Sequence, residues 1–405
     1  MYRIGRWIVP SGLLLILISS IGLTEDWPCW RGPDRDGKVK GFVAPQAWPS
    51  GLKCQWKVTV GLGDATPALV ADRLYCFTRQ EANEVLTCLN ASDGKVIWKD
   101  AYKAVAVTGA ASRHPGPRSS PAVAAGKVVT LGVGGVLSCI DAQTGKVVWR
   151  KDIFPNVVPR FFTGTSPLIT DGLVITQLGG EGNGGVVALD LVTGEQRWLW
   201  SQEGPSYSSP VLMTADGLKQ VVMMTEASVV GLAIADGQLI WRIPFKPERM
   251  AYNASTPIVD GQTVYVAGSG RGTKAFKIER KGEGFTATEL WSCDTAPQFC
   301  SAVLKDGYLF GISDRGNIYC IDAKTGTLAW MDQTNRRNFG AMLDIGPCLV
   351  LLPEGGELLV FRPDPKGYNE LAKYKVADGQ TYAHPVLSGN RIFVKDTDSL
   401  SLWTL

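Results

Sequence analysis

Residues able to do chemistry are scarce in this chain and poorly grouped. Its 405 residues include two histidines, His114 and His384, and nine cysteines. No Cys-x-x-Cys occurs and neither histidine has a partner at ligand spacing, so no metal site is expected. No Gly-x-Ser-x-Gly lies near a histidine, which leaves a nucleophilic triad without an anchor. What remains is a cationic stretch. Residues 104–121, AVAVTGAASRHPGPRSSP, are rich in Gly, Pro and small side chains and read as a loop. Within it Arg113, His114 and Arg118 are suited to contacting an anion or an acidic partner. The cysteines raise a disulfide question. Cys76 and Cys88 fall on adjacent strands of one hairpin and could pair, and Cys293 and Cys300 could bridge a loop.

These residues must be positioned by a repeated unit. An aliphatic strand, Asp or Asn, a Thr-Gly or Asp-Gly turn and then Trp recur as LNASDGKVIW, IDAQTGKVVW, LDLVTGEQRW, LAIADGQLIW and IDAKTGTLAW. They end at Trp98, Trp149, Trp198, Trp241 and Trp330, and a degenerate copy with a longer hairpin, KIERKGEGFTATELW, ends at Trp291. Upstream of each stands a second phrase: a small or hydroxyl residue, Pro, an aliphatic pair, a turn and another strand. Its column holds Pro67, Pro121, Pro167, Pro210, Pro257, Ala302, Met342 and Pro385. Each unit reads as four short antiparallel strands, A to D, joined by Gly-containing turns. Such units with a period of about 40–50 residues predict an all-β propeller.

The ends predict closure. The last unit has room for strands A to C only, and its strand D is supplied by LKCQWKVTV, with Trp56 in the docking column. With YKV at Tyr374 there are eight A strands and eight D strands, hence eight blades over residues 52–405, preceded by an extension, 23–51. Trp56, Trp98, Trp149, Trp198, Trp241, Trp291 and Trp330 are expected to dock one blade on the next, each indole donating its N–H to a neighbouring carbonyl. Cys88, Cys139 and Cys320 share a column with Ala188 and Gly231, a slot for a small buried side chain. The D-to-A connections should line the mouth of the central channel. The residues three before each Pro column are Asp64, Arg118, Gly164, Tyr207, Ala254, Phe299, Phe339 and Tyr382, with Arg113, His114, Asn253 and His384 close by. Convergent aromatic and polar groups at a concave mouth make these the candidate binding residues.

The Thr/Asp-Gly-x-x-x-Trp phrase resembles the tryptophan-docking repeat of the pyrroloquinoline-quinone (PQQ) propeller family. The opening WPCWRGPDRDG, residues 27–37, looks like the N-terminal signature of a bacterial group of PQQ-like propellers described as similar to outer-membrane protein assembly factor B. The resemblance implies one of two roles. One is a non-catalytic envelope scaffold with protein partners; the other is a dehydrogenase using PQQ with Ca²⁺. The dehydrogenases carry an adjacent Cys-Cys pair, a Trp stacked on the cofactor, a Glu/Asn/Asp calcium site and a catalytic Asp. This chain has no adjacent cysteines and no Cys-x-x-Cys-His for haem. The expectation is therefore a scaffold binding an envelope protein or small ligand at the mouth, with no catalytic residues and no cofactor.

Composition agrees with one large repeat domain. The chain is 45% hydrophobic and 20% charged, with 46 Gly and 23 Pro. A net charge of +3 without basic clusters argues against nucleic acid, and a monomeric ring is expected. Arg3 and Arg6 precede an apolar run over residues 7–23, and Ser20-Ile21-Gly22 offers small residues for cleavage. Residues 1–22 thus read as an export signal, with an uncleaved anchor as the competing reading, placing the mature chain in the periplasm or cell envelope.

Overall fold

The repeated Asp/Asn-x-x-Thr/Asp-Gly phrase folds because the acid or amide at the end of each C strand closes its own turn. Asp190 Oδ1 accepts the N–H groups of Val192 and Thr193, each at 2.9 Å, and Asp322 Oδ1 those of Lys324 and Thr325 at 2.9 and 2.8 Å. A hydrogen-bonded ion pair with Arg197, joined by these turn bonds, holds the Asp190 carboxyl down at about 2. The turn then returns the chain as strand D. In the computed structural model, which describes Tyr2 and residues 25–248 and 252–405, this pattern builds eight four-stranded antiparallel sheets. The expected export signal lies outside the described residues, Tyr2 apart. Among the described residues no helix is long and apolar enough to cross a membrane.

Blade 1 runs Ala68–Val70, Arg73–Gln80, Asn83–Asn90 and Val96–Lys103, strands A to D. Blade 8 contains Val386–Ser388, Arg391–Lys395 and Ser399–Thr404, and the N-terminal strand Lys53–Thr59 completes it. There Lys53 pairs with Thr404 and Thr59 with Ser399, so the ring closes as the repeat count requires. The A strands of neighbouring blades approach one another around the axis.

Blades are joined on their outer side by the tryptophans. Trp98 donates to the Ala142 carbonyl (3.3 Å), Trp149 to Leu191 (3.0 Å), Trp198 to Ile234 (2.8 Å), Trp291 to Ala323 (2.9 Å) and Trp330 to Asp364 (2.8 Å), each in the following blade. Trp56 crosses the seam to Ala91 of blade 1 at 3.2 Å. The turn glycine of the next blade lies under the indole. Gly194 has φ +70°, and a Cβ there would sit 2.7 Å from the Trp149 ring, so glycine is required twice over. Trp241 departs from the pattern. It packs with Val264, Phe276 and Ile278 of blade 5, but its N–H turns back to Gln220 Oε1 of its own blade at 2.5 Å. The cause is the long hairpin Gly272–Lys281 and Gly284–Cys293, which replaces the Asp/Thr-Gly turn that would receive it.

The small-residue column lies across the C–D ladder from the tryptophans: Cys88 opposite Trp98, Cys139 opposite Trp149, Ala188 opposite Trp198 and Cys320 opposite Trp330. A β-bulge follows each pair. All nine cysteines are unpaired. For Cys76 and Cys88 the register decides it. Tyr75 lies opposite Cys88 and Cys76 opposite Thr87, so the two thiols face opposite sides of the sheet. Cys300 is buried with its sulfur accepting the Gly340 N–H, and Cys293 sits at the end of a D strand.

Around the axis the blades are joined by a chain of hydroxyls. The His384 N–H donates to Thr66 Oγ1, Thr66 to Ser120, Ser120 to Ser166, Ser166 to Ser209, Ser209 to Thr256 and Thr256 to Ser301, at 2.8–3.2 Å. This is the physical content of the hydroxyl-before-Pro column, which interrupts at Ala341 of blade 7. Ser166→Ala should leave the buried Ser120 N–H unpaired and lower the unfolding free energy by about 1–3 kcal/mol. Denaturant titration checks this, and unchanged stability would reduce the belt to incidental contacts.

Candidate functional site

The eight residues at the third position before the Pro column all line one cavity of about 540 Å³ at the channel mouth. Each D-to-A connection delivers one of them, because the A strand starts beside the axis and its approach must pass over the mouth. Arg113 and His114, from the loop over residues 104–121, join them. That loop contains the 3₁₀ turn Gly109–Arg113 and is stitched to blade 1 by Asp64 and Ala65 N–H bonds to the Pro117 carbonyl, at 2.8 and 3.0 Å.

The wall is aromatic over most of its circumference. Phe161, Tyr207 and Tyr252 meet with centroids 5.4–6.1 Å apart, and Tyr252 stacks on Phe299 at 5.7 Å. Phe339 and Tyr382 lie 5.1 Å apart, and the His114 ring stands edge-on to Tyr382 at 4.7 Å. Burial pushes the Tyr382 phenol up to about 12 and also raises Tyr207 and Tyr252, so all three are neutral donors or acceptors. The remaining arc is polar. His114 Nδ1 and Asp64 Oδ2 are 2.9 Å apart. Arg118 donates to the carbonyls of Phe161 and His114, and the Phe161 N–H donates to the Tyr207 hydroxyl at 3.0 Å. Arg118 and Tyr207 therefore also clamp the Phe161 loop. Burial draws the Arg118 guanidinium below its usual range, with Asp64 acting in the opposite sense.

The floor comes from the N-terminal extension. Trp27 pairs with Leu69, Pro28 accepts from Val123, and Glu25 accepts from Ser388. Buried Arg31 donates to the carbonyls of Ser301 (3.0 Å), Ala302 (2.7 Å) and Asp36 (2.9 Å), and buried Arg35 to Ser166 (2.9 Å) and Pro167 (2.8 Å). Val39 and Gly37 bond Asp344, and Trp30 Nε1 reaches Thr256 at 3.2 Å. The segment thus crosses the channel, touching the inner strands of most blades, and Trp30 faces up into the cavity. The channel becomes a cup open at one end.

Two expected mouth residues lie elsewhere. Asn253 is 1% exposed and bonds the carbonyls of Thr225 and Phe245 and the side chain of Arg271. One position removed from the wall residue Ala254, it points into the blade. His384 lies beneath the floor, edge-on to Trp30 at 4.6 Å and 2% exposed. Burial and the nearby Arg31 charge hold its imidazole well below the ordinary value of 6.5. The folded chain keeps it neutral, whereas the unfolded chain protonates it near 6.5. Its contribution to stability is therefore full above that pH and falls as pH drops. The loss should approach about 1.4 kcal/mol per pH unit below 6.5. Denaturant titrations between pH 7 and 5 check the slope, and His384→Leu should remove it. An unchanged slope in that variant would exclude His384 as its source.

Trp30, Phe161, Tyr252, Ser166, Ser209 and Asn338, with Ala110 and Ala111 of the 3₁₀ turn, complete the lining. The register missed Phe161 and Tyr252, which precede the Pro column within their D-to-A connections; an aromatic in such a mouth loop is the signal that finds them. Ser166 and Ser209 stood in the hydroxyl column. Trp30 belongs to no repeat, so no register pointed to it.

A family model described as PQQ_2, outer membrane protein assembly factor BamB, matches residues 82–332 and 286–405. The outer membrane protein assembly factor BamB of Xanthomonas campestris is 25% identical over 278 residues, 54% of this chain and 64% of that protein, so the match spans just under two thirds of that relative's length. Among solved structures, BamB from Moraxella catarrhalis superposes with a TM-score of 0.64 at 15% identity, over 87% of this chain and 100% of that one. The quinohemoprotein alcohol dehydrogenase ADHIIG from Pseudomonas putida gives 0.67 at 15% identity, over 94% and 80%. At these identities the superpositions establish the fold, which an assembly factor and a dehydrogenase share. With most of the ring covered by the family model, and its blades joined by the repeat's own tryptophans, this chain belongs to the PQQ_2 propeller family described as outer membrane protein assembly factor BamB.

Proposed function

We propose that the chain is a non-catalytic propeller scaffold of the cell envelope that holds a partner protein or ligand at its central mouth, in the manner of the assembly factors it resembles. The observation that carries this reading is the convergence of side chains from all eight blades on one cup, floored by the chain's own N-terminal segment. A ring presenting loops of different lengths around a concave site suits recognition. The donor set speaks against a Ca²⁺-held quinone. The cup has one carboxylate, Asp64, already engaged by His114, and among the described residues no three His, Cys, Asp or Glu side chains converge.

A photo-crosslinking residue placed at Phe299 in the cup, and separately at Val96 on an outer strand, tests the reading in envelopes of cells producing the chain. A discrete protein adduct from Phe299 and none from Val96 is expected. Adducts from Val96 alone would move recognition to the outer rim. Alcohol-dependent dye reduction by the purified chain after adding PQQ and Ca²⁺ would replace the scaffold by a dehydrogenase.

A further inference from the structure

We infer that the cup receives the end of an acidic saccharide, a uronic-acid ring packed on the aromatic wall with its carboxylate at Arg113. This rests on the cup being the recognition site proposed above.

Charge comes first. Among the described residues, the ionisable groups of the lining, beyond the phenols, are Arg113, Arg118, Asp64 and His114, and Asp64 is paired with His114. Arg113 is exposed at the end of its 3₁₀ turn and forms no ion pair among the described residues. Arg118 spends its donors on two backbone carbonyls, without neutralisation by a carboxylate in contact. The polar arc is therefore net cationic and matches a ligand carboxylate.

The donor pattern at the bottom is specific. Ser166 and Ser209 line the cup, and each hydroxyl oxygen accepts an amide, from Ser120 and Ser166 respectively. A hydroxyl keeps one proton to give. Neither Oγ–H has an acceptor among the described residues, so the lower wall presents two donors to ligand oxygens. Above them the rings offer flat apolar faces. A pyranose meets both demands, with C–H faces for the rings and oxygens around its edge.

An extended peptide is matched less well. Five of the wall's amides are consumed internally: Ser166 and Ser209 N–H by the hydroxyl belt, Phe161 by Tyr207, Tyr207 by Asn253, Asp64 by Pro117. A peptide entering this enclosure would lose those five positions as main-chain partners for its own N–H and C=O groups. Because the floor closes the channel, the saccharide enters by its end rather than threading through.

Titration calorimetry on the purified chain tests this with trigalacturonate, uncharged maltotriose and a short peptide ending in an aromatic residue. Saturable binding of trigalacturonate alone is expected, weakened about tenfold or more in Arg113→Ala and in Phe299→Ala. Arg113→Ala should retain the parent melting temperature within a few degrees, since Arg113 is exposed. Equal affinity for maltotriose, or unaltered affinity in Arg113→Ala, would overturn the acidic assignment. Binding of the peptide alone would overturn the saccharide. The two readings fail separately. A Phe299 protein adduct without saccharide binding removes this inference and leaves the scaffold. Saccharide binding without any adduct keeps the cup and removes the protein partner.

Discussion

Trp149→Ala is expected to lower the unfolding free energy by about 3–5 kcal/mol, the range for truncating a buried aromatic. Trp149 is 7% exposed and packs with Val174, Val187, Leu189 and Leu191 of the next blade. The substitution removes that burial, opens a space over Gly194 and leaves the Leu191 carbonyl without its indole donor. Collapse cannot refill the space, because both sheets are fixed by their own ladders. Denaturant unfolding checks the value, and a loss below about 1 kcal/mol would mean the docking column is decorative. Gly194→Ala attacks the same contact from the other side, with the strain of a positive φ added. Trp241→Ala should differ in kind. It strips a partner from Gln220 inside its own blade and leaves no carbonyl of blade 5 unpaired.

Arg31→Ala is expected to cost about 3 kcal/mol or more, because two buried carbonyls and a third, partly buried one lose their donor at once. Two of them, on Ser301 and Ala302, belong to blade 6, and the third, on Asp36, shapes the strap itself. Burial alone draws the Arg31 guanidinium down to about 10, a measure of how completely it is removed from water. Arg31→Lys should recover only part of the loss, since an ammonium cannot reproduce the planar fork. Lys40→Ala provides the comparison within the same segment. Its ion pair with Asp34 is exposed on both sides, and its removal should cost under about 1 kcal/mol. Equal, small effects for Arg31 and Lys40 would show that the segment is not fastened in the channel.

The sequence by itself determined the ring. Turn closure by Asp190 and Asp322, glycine at Gly145 and Gly194, and Trp at the following fourth position are local chemistry repeated at fixed spacing. Counting repeats therefore counts blades. Closure was equally legible, because an incomplete last unit and a spare D strand at Trp56 can satisfy their edges only by pairing. The mouth ring followed from the same register, and so did the small-residue slot at Cys88, Cys139 and Cys320. Asn253 and His384 were misplaced because proximity in sequence to a wall residue does not set the direction of a side chain. Disulfide pairing of Cys76 with Cys88 failed on a one-residue difference in register that composition does not carry. Only the tertiary structure decided what floors the cup. Arg31 meets Ser301 and Ala302 across some 270 residues of chain, and Trp30 meets Thr256 across 226, in a segment that repeats nothing. No period or local turn encodes such contacts. They exist because eight inner strands leave a central gap whose carbonyls need donors, and residues 25–39 supply them.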